Sequence, residues 1–392
     1  MSFLAAIVGL ALLVLIHEAG HFFAARAAGM TPRKFYLGFG PPLARRQRGV
    51  VEYGVGSIPL GGYVKIPGMN RPSPGDLRRL LDLRQAEQHA AEIDGFDAAI
   101  EREDYARAAE LLAQLRPALG ETRGFQDLEW SLAQDAYWRQ ATWRRLVAIA
   151  AGPAVNLVFA FLLFTGLFVV ATIRDTNIVG RVVPGTPAAA AGVRVGDRVL
   201  AVAGEHVAPK EIPKHIRATH GRRFTLLVER RGHRVAIPVH ARLEDGAYRI
   251  GIAIESRTGP GESVPAAAGD AIGLIGAVTA DTVRGIGHLL GGRDTNQVSS
   301  TVGIVKVSSA AWRQGLRDFL SVLGLISLAL GLLNLLPVLP LDGGHIAIAL
   351  VEKLRGRTFR QVVYIRYSVI GLSLFALLMY LGLRNDLFGG GG

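Results

Sequence analysis

Four stretches of the chain stay apolar long enough to cross a bilayer: about Phe3–Ala25, Leu146–Ile173, Phe319–Leu339 and Val363–Leu383. Between the first two, residues 31–70 alternate apolar and small residues with Gly-Pro punctuation. Val50–Ile58 and Gly62–Ile66 read there as short strands joined by Pro59-Leu60-Gly61. Residues 71–136 switch to a helical period, with Leu77, Leu81, Ile93, Phe96, Ile100, Leu111, Leu112 and Leu115 recurring on one face. That pattern predicts two or three amphipathic helices in an acidic insert. Residues 175–257 return to short β-type runs: Ile178–Val183, Asp197–Val202, Phe224–Glu229, Arg234–Val239 and Tyr248–Ile254. Residues 258–318 are rich in Gly and Ala, and an amphipathic segment near Ala268–Leu290 reads as lying on the outer membrane surface. Gly389–Gly392 reads as a flexible tail. The expected fold is an α-helical membrane protein with four transmembrane helices, a membrane-associated β-loop and one small β-rich domain. Its expected segments are 1–30, 31–70, 71–136, 137–174, 175–257, 258–318, 319–346 and 347–392.

Composition agrees with a membrane location. Half of the 392 residues are hydrophobic and the mean hydropathy is +0.29, too apolar for an ordinary soluble enzyme of this length. Cysteine is absent, so disulfides and thiolate metal ligands are excluded. The net charge of +12 does not point to nucleic acid, because the arginines cluster beside apolar segments. Arg33, Lys34, Arg45, Arg46 and Arg48 follow the first span, Arg139, Arg144 and Arg145 precede the second, and Lys353, Arg355 and Arg357 separate the last two. The positive-inside rule makes these loops cytoplasmic, with both termini and segment 174–318 outside.

The first span carries His17-Glu18-Ala19-Gly20-His21. Helical spacing puts His17 and His21 one turn apart on one face, where two imidazoles can grip one metal ion. Glu18 stands beside them, suited to take a proton from an activated water. An ionisable group at the bilayer centre costs about 2.5–3.5 kcal/mol on insertion scales, so three within five residues need something that offsets them. Zinc fits that need. A cleaved signal peptide is not expected, since Met1-Ser2-Phe3 lacks charge and the motif stands where a cleavage site would fall.

Catalytic zinc takes three protein ligands and keeps one position open. The third span ends in Asn334-Leu335-Leu336-Pro337-Val338-Leu339-Pro340-Leu341-Asp342-Gly343-Gly344-His345. A carboxylate after a proline-broken apolar segment is again costly unless it binds something, so Asp342 is the expected third ligand. Gly343 and Gly344 permit close backbone approach. Asn334, two turns earlier, is suited to hydrogen-bond substrate or an oxyanion. His345 reads as a supporting residue, because a fourth ligand would close the site.

The run Val183-Pro184-Gly185-Thr186-Pro187-Ala188 followed by Ala191-Gly192-Val193-Arg194-Val195-Gly196-Asp197 resembles the PDZ domains of bacterial envelope proteases. Such a domain binds peptides or C-termini by strand addition, or acts as a size filter. With HExxH in the first span and the Asn-x-x-Pro…Leu-Asp-Gly-Gly pattern in a late one, the chain resembles the site-2 protease family of intramembrane zinc metalloproteases. Gly38-Phe39-Gly40-Pro41, Ile58–Lys65 and Ala151-Gly152-Pro153-Ala154-Val155-Asn156 add to the likeness. The second proline, at 340, falls one place later than in the common pattern, as in the actinobacterial-type variant. There is also one PDZ module instead of a tandem pair, and the acidic insert replaces a short connection.

The resemblance implies His17, His21 and Asp342 as ligands of Zn2+, Glu18 as base and Asn334 as a substrate-positioning residue. It implies hydrolysis of transmembrane segments of single-pass proteins, such as anti-sigma factors or remnant signal peptides. The enzyme would sit in the cell inner (plasma) membrane with its site towards the cytoplasm and its PDZ domain outside. The strand around Val51, Val55 and Ser57 is expected to pair with the unwound substrate. Two other classes remain at this point: a metal transporter, which needs no Glu beside a ligand, and a PDZ scaffold, which needs no metal.

Overall fold

The first apolar run folds as one helix, α1 (Ser2–Ala27), apolar on every side. The chain leaves it through Gly29, whose φ of 85° is left-handed and suits a residue without Cβ. The structure is a computed structural model and describes residues 2–120, 122–244, 247–291, 300–359 and 361–388; the Gly389–Gly392 tail lies outside them.

A long antiparallel ribbon follows, β1 (Lys34–Arg48) and β2 (Val51–Lys65). It doubles back on itself. Lys34–Leu37 pair with Glu52–Val55 on one side and with Gly62–Lys65 on the other, while Val51–Val55 also pair with Ala44–Arg48. Across the ribbon the order is therefore 62–65, 34–37, 52–55, 44–48. The stretch around Val51 and Val55, expected to pair with an unwound substrate, is interior and has neighbours on both sides. Among the described residues, the segment left with an open side towards α1 is Gly62–Lys65.

The acidic stretch forms α2 (Leu83–Gln88), α3 (Ala90–Glu101), α4 (Tyr105–Leu119) and α5 (Arg123–Leu132). Two or three helices were expected. The side chains of Asp82, Asp104 and Thr122 cap backbone N–H groups and so divide the pattern more finely. Leu77, Ile93, Phe96, Leu112, Leu115, Phe125 and Leu128 give this insert a buried core of its own. Next comes α6 (Thr142–Val170), with Pro153 inside it.

The chain divides into two compact units, Met1–Phe164 with Ala268–Gly392, and Thr165–Ala267. The second unit holds β3 (Ala171–Val182), α7 (Pro187–Ala190), β4 (Arg198–Val202), β5 (Glu205–His206), α8 (Ile212–Ala218), β6 (Arg223–Arg230), β7 (His233–His240), β8 (Arg242–Glu244), β9 (Ala247–Arg249) and β10 (Ile252–Pro260). Its sheet runs β10-β3-β4-β6-β7, with β5 beside β4 and β8-β9 as a separate pair. Val179, Val199, Ile212, Leu226, Val228, Ile237 and Ile250 fill its core.

The C-terminal part comprises α9 (Val264–Leu290), α10 (Thr301–Gln314), α11 (Leu316–Asn334), α12 (Asp342–Arg355) and α13 (Gln361–Phe388). Among the described residues, five helices are long and apolar enough to cross a membrane, where four were expected; the addition is Val264–Leu289, the segment read as lying on the surface. It is the least apolar of the five. The third expected span stops at Asn334 instead of 339, because Pro337 has no N–H to continue the ladder. Inside the first unit, α1 and α11 pack closely: a Cβ at Gly9 would lie 2.9 Å from Leu323 Cδ2. The start of α10 is capped across the fold, Asp386 Oδ2 accepting from the Ser300 N–H at 2.7 Å and from its hydroxyl at 2.6 Å.

Candidate metal centre

Asp342 is the first residue of α12, and the loop before it folds back tightly enough to bring it to α1. Only glycine fits at the next two positions. A Cβ at Gly343 would meet the carbonyl oxygens of Leu335 and Leu336, and one at Gly344 would lie 2.5 Å from Leu339 N. The carboxylate thus arrives opposite the imidazole pair. Asp342 Oδ2 lies 3.2 Å from His17 Nε2 and 3.3 Å from His21 Nε2, and the two Nε2 atoms are 3.3 Å apart.

A tetrahedral centre with bonds of about 2.0–2.1 Å holds its ligand atoms about 3.3 Å apart. The observed triangle has the size of one face of such a centre. Asp342 Oδ2 is buried and has no hydrogen-bond partner. His21 Nδ1 lies 2.9 Å from Ala148 O. A carbonyl only accepts, so in the neutral ring Nδ1 carries the proton and Nε2 turns a lone pair towards the carboxylate. Three lone pairs facing one point repel unless a cation lies between them. The donor set fits a metal ion, and His17, His21 and Asp342 are the cluster of that kind among the described residues.

Glu18 faces the ribbon. A Cβ on Gly62 would sit 3.0 Å from Glu18 Cγ, and the Val64 backbone N–H is within hydrogen-bonding reach of the Glu18 carboxylate. The open edge therefore begins beside the one carboxylate of the motif. Asn334 closes α11, and its amide nitrogen donates to Leu330 O at 3.0 Å. His345 is half-buried, with its ring centroid 6.4 Å from that of Tyr364, and stands outside the three-atom cluster. Val51 is buried; Val55 and Ser57 are exposed.

The residue reading did not single out the part played by α6. Ala148, Gly152 and Asn156 recur every four residues and so share one stripe of the helix. Ala148 offers its carbonyl to His21. A Cβ on Gly152 would strike the His21 ring, and one on Gly20 would lie 2.7 Å from Ala151 O. Asn156 is 0% exposed, with Nδ2 3.4 Å from His17 Nδ1. The run Ala151-Gly152-Pro153-Ala154-Val155-Asn156, read for the family likeness alone, was the signal available for this.

A membrane-embedded helical scaffold carrying a His, His, Asp donor set beside a carboxylate is the setting of a membrane metallopeptidase. The chain belongs to peptidase family M50, the site-2 protease family, whose profile matches residues 5–378. It is a zinc metalloprotease of several apolar helices, as the motifs implied. It is 29% identical to Zinc metalloprotease Rip1 of Mycobacterium tuberculosis over 91% of this chain and 87% of the relative. It is 25% identical to Probable protease eep of Enterococcus faecalis over 96% of each chain. A candidate zinc metalloprotease of Brucella suis is 28% identical over 97% of this chain and 93% of its own length.

Proposed function

We propose that this metalloprotease hydrolyses peptide bonds within transmembrane segments of single-pass proteins, using His17, His21 and Asp342 to hold zinc and Glu18 as general base. The observation that carries the reading is the 3.2–3.3 Å triangle of ligand atoms with Glu18 beside it. Zinc bound there supplies a Lewis acid that activates water and polarises a carbonyl. Glu18 takes the proton of the attacking water and passes it to the leaving amine nitrogen.

A substrate helix hides its carbonyls in its own hydrogen bonds, and exposing them to lipid costs several kcal/mol each. The Gly62–Lys65 edge supplies replacement partners by strand addition. Its position beside Glu18 supports this over pairing at Val51, Val55 and Ser57. Asn334 serves as a substrate-positioning group near the end of α11.

The unit Thr165–Ala267 acts as a PDZ domain outside the cell membrane, with the active site towards the cytoplasm. In support, a cavity of about 380 Å³ lies between α8 and edge strand β10, lined by Ile212, Ile216, Tyr248, Ile250 and Ile252. A trimmed C-terminus fits there as an added strand. Substrates are then single-pass proteins already shortened outside the membrane, such as anti-sigma factors or remnant signal peptides.

The test is incubation of wild type and Glu18→Gln with a single-pass protein in liposomes, followed by mass mapping. Wild type should cut within the span and Glu18→Gln should not, at equal zinc content. Equal cleavage by both, or cuts confined to exposed loops, would refute the reading.

A further inference from the structure

The two histidines are held from behind in different ways. Behind His21, the carbonyl of Ala148 accepts from Nδ1, and a backbone oxygen allows one tautomer only. Behind His17 stands a side chain, the amide of Asn156. For His17 Nε2 to present a lone pair towards Asp342 and His21, its ring proton must sit on Nδ1. That N–H then needs an acceptor at a depth where water is scarce.

The amide has one to give. Asn156 Oδ1 is buried and without a partner, while Nδ2 lies 3.4 Å from His17 Nδ1. The two ends of an amide exchange by a half-turn about its terminal bond. That half-turn puts Oδ1 against Nδ1–H and satisfies both atoms at once. The residue is held for this task by its backbone: Asn156 O accepts from the Ser327 hydroxyl of α11 at 3.0 Å, and both residues are 0% exposed. No other polar side chain is recorded against His17 Nδ1 among the described residues.

We propose that Asn156 is a positioning residue whose amide oxygen accepts the His17 Nδ1 proton, fixing the tautomer and the ring angle with which His17 meets zinc. The inference rests on the reading of His17 as a ligand. Partners of this kind, placed behind a ligating imidazole, typically change metal affinity about 10–100-fold when removed. Asn156 touches neither substrate nor reacting atoms, so its effect reaches catalysis through His17.

The experiment compares the full-length protein in detergent as wild type, Asn156→Leu, Asn156→Asp and His17→Ala. Zinc affinity is read by chelator competition, and the visible spectrum is read after cobalt substitution. Leucine keeps the shape and removes the acceptor; aspartate keeps an acceptor and cannot donate. The expected result is an affinity about 10–100-fold lower for Asn156→Leu with a shifted cobalt band, and an affinity at or above wild type for Asn156→Asp. Wild-type affinity and spectrum in Asn156→Leu would overturn the proposal, as would an equal loss in Asn156→Asp. If the leucine variant does not fold, the aspartate variant decides: retained affinity supports an acceptor role, and a tenfold loss overturns it. His17→Ala separates the two levels of the argument. Unchanged zinc binding there would refute His17 as a ligand, whatever Asn156 does.

Discussion

Arg145 on α6 and Glu352 on α12 are 207 positions apart in the chain and meet at 2.5 Å in the interior. Both side chains are almost fully buried, at 6% and 4% exposure. The second oxygen of Glu352 accepts from Phe359 N at 2.8 Å and from the Tyr364 hydroxyl at 3.1 Å, and the Arg145 guanidinium lies over the Tyr137 ring. The helix that starts with Asp342 is thus tied to the helix that carries Asn156. Glu352→Gln leaves a buried guanidinium without its counter-charge and should destabilise the protein by about 3–5 kcal/mol. Replacing both residues by apolar ones of similar volume should cost less than either single change. Unfolding in detergent across the four proteins of a double-mutant cycle measures this, and additive losses would contradict it.

Gly152→Ala should cost metal at little cost to the helix. Alanine is the better helix former by roughly 1 kcal/mol, so the backbone gains. The added methyl, however, enters the space of the His21 ring. Zinc content after dialysis should fall at least tenfold while the helical circular dichroism is retained. Full zinc occupancy would mean that α1 can shift away from α6.

Val64→Pro tests the ribbon edge. Val64 lies in the segment open towards α1, with its backbone N–H near the Glu18 carboxylate, so proline removes a donor beside Glu18. Cleavage of a membrane substrate should drop by an order of magnitude or more with zinc unchanged. Proline at Val55 should instead weaken the ribbon itself, because that position has partners on both sides. Normal cleavage by Val64→Pro would remove this edge from the mechanism.

The β-rich unit has a pH limit of its own. Burial alone would raise the pKa of Asp197, but Arg230 outweighs it, donating to Oδ1 at 2.7 Å and to Oδ2 at 2.7 Å, and Arg194 N adds a bond at 2.8 Å. The net shift is downward. The ionised form is therefore favoured by folding, and this stabilisation is complete above the unfolded pKa of about 3.9. It is lost as pH falls through the depressed folded value. Asp197→Asn should flatten the acid limb of an unfolding curve read from this unit, and an unchanged limb would count against the pairing as its origin.

Much of the candidate site could be read from residues because each part announces itself locally. His17, Glu18 and His21 share one helical turn, and Asp342 stands in an apolar setting where charge is costly. The tight approach of Asp342 follows from Gly343 and Gly344. What escaped the sequence depends on tertiary register. Nothing in residues 34–65 says that Lys34–Leu37 will take two partners, so the free edge could not be assigned to Gly62–Lys65 in place of the stretch around Val51. The third expected span was drawn past Asn334 because hydropathy continues through Leu339 although the proline ends the helix. Segment 264–289 sits near the limit between a surface helix and a span, since its glycines and charges dilute an otherwise apolar run. The role of α6 was hidden for a different reason: one of its contributions is a main-chain carbonyl, which no side-chain pattern reveals.

In the proposed strand addition, the doubled ribbon has a consequence for where a substrate is cut. Because Lys34–Leu37 bind both Glu52–Val55 and Gly62–Lys65, the link at 56–61 fixes which backbone groups face Glu18. Shortening it by one residue would exchange which backbone groups of Gly62–Lys65 face β1 and which face Glu18. Shortening it by two would restore the facing and move the presented groups along by about 6–7 Å. The length of that link is therefore a ruler, and altering it offers a way to walk the scissile bond along a bound polypeptide without touching any ligand of the metal.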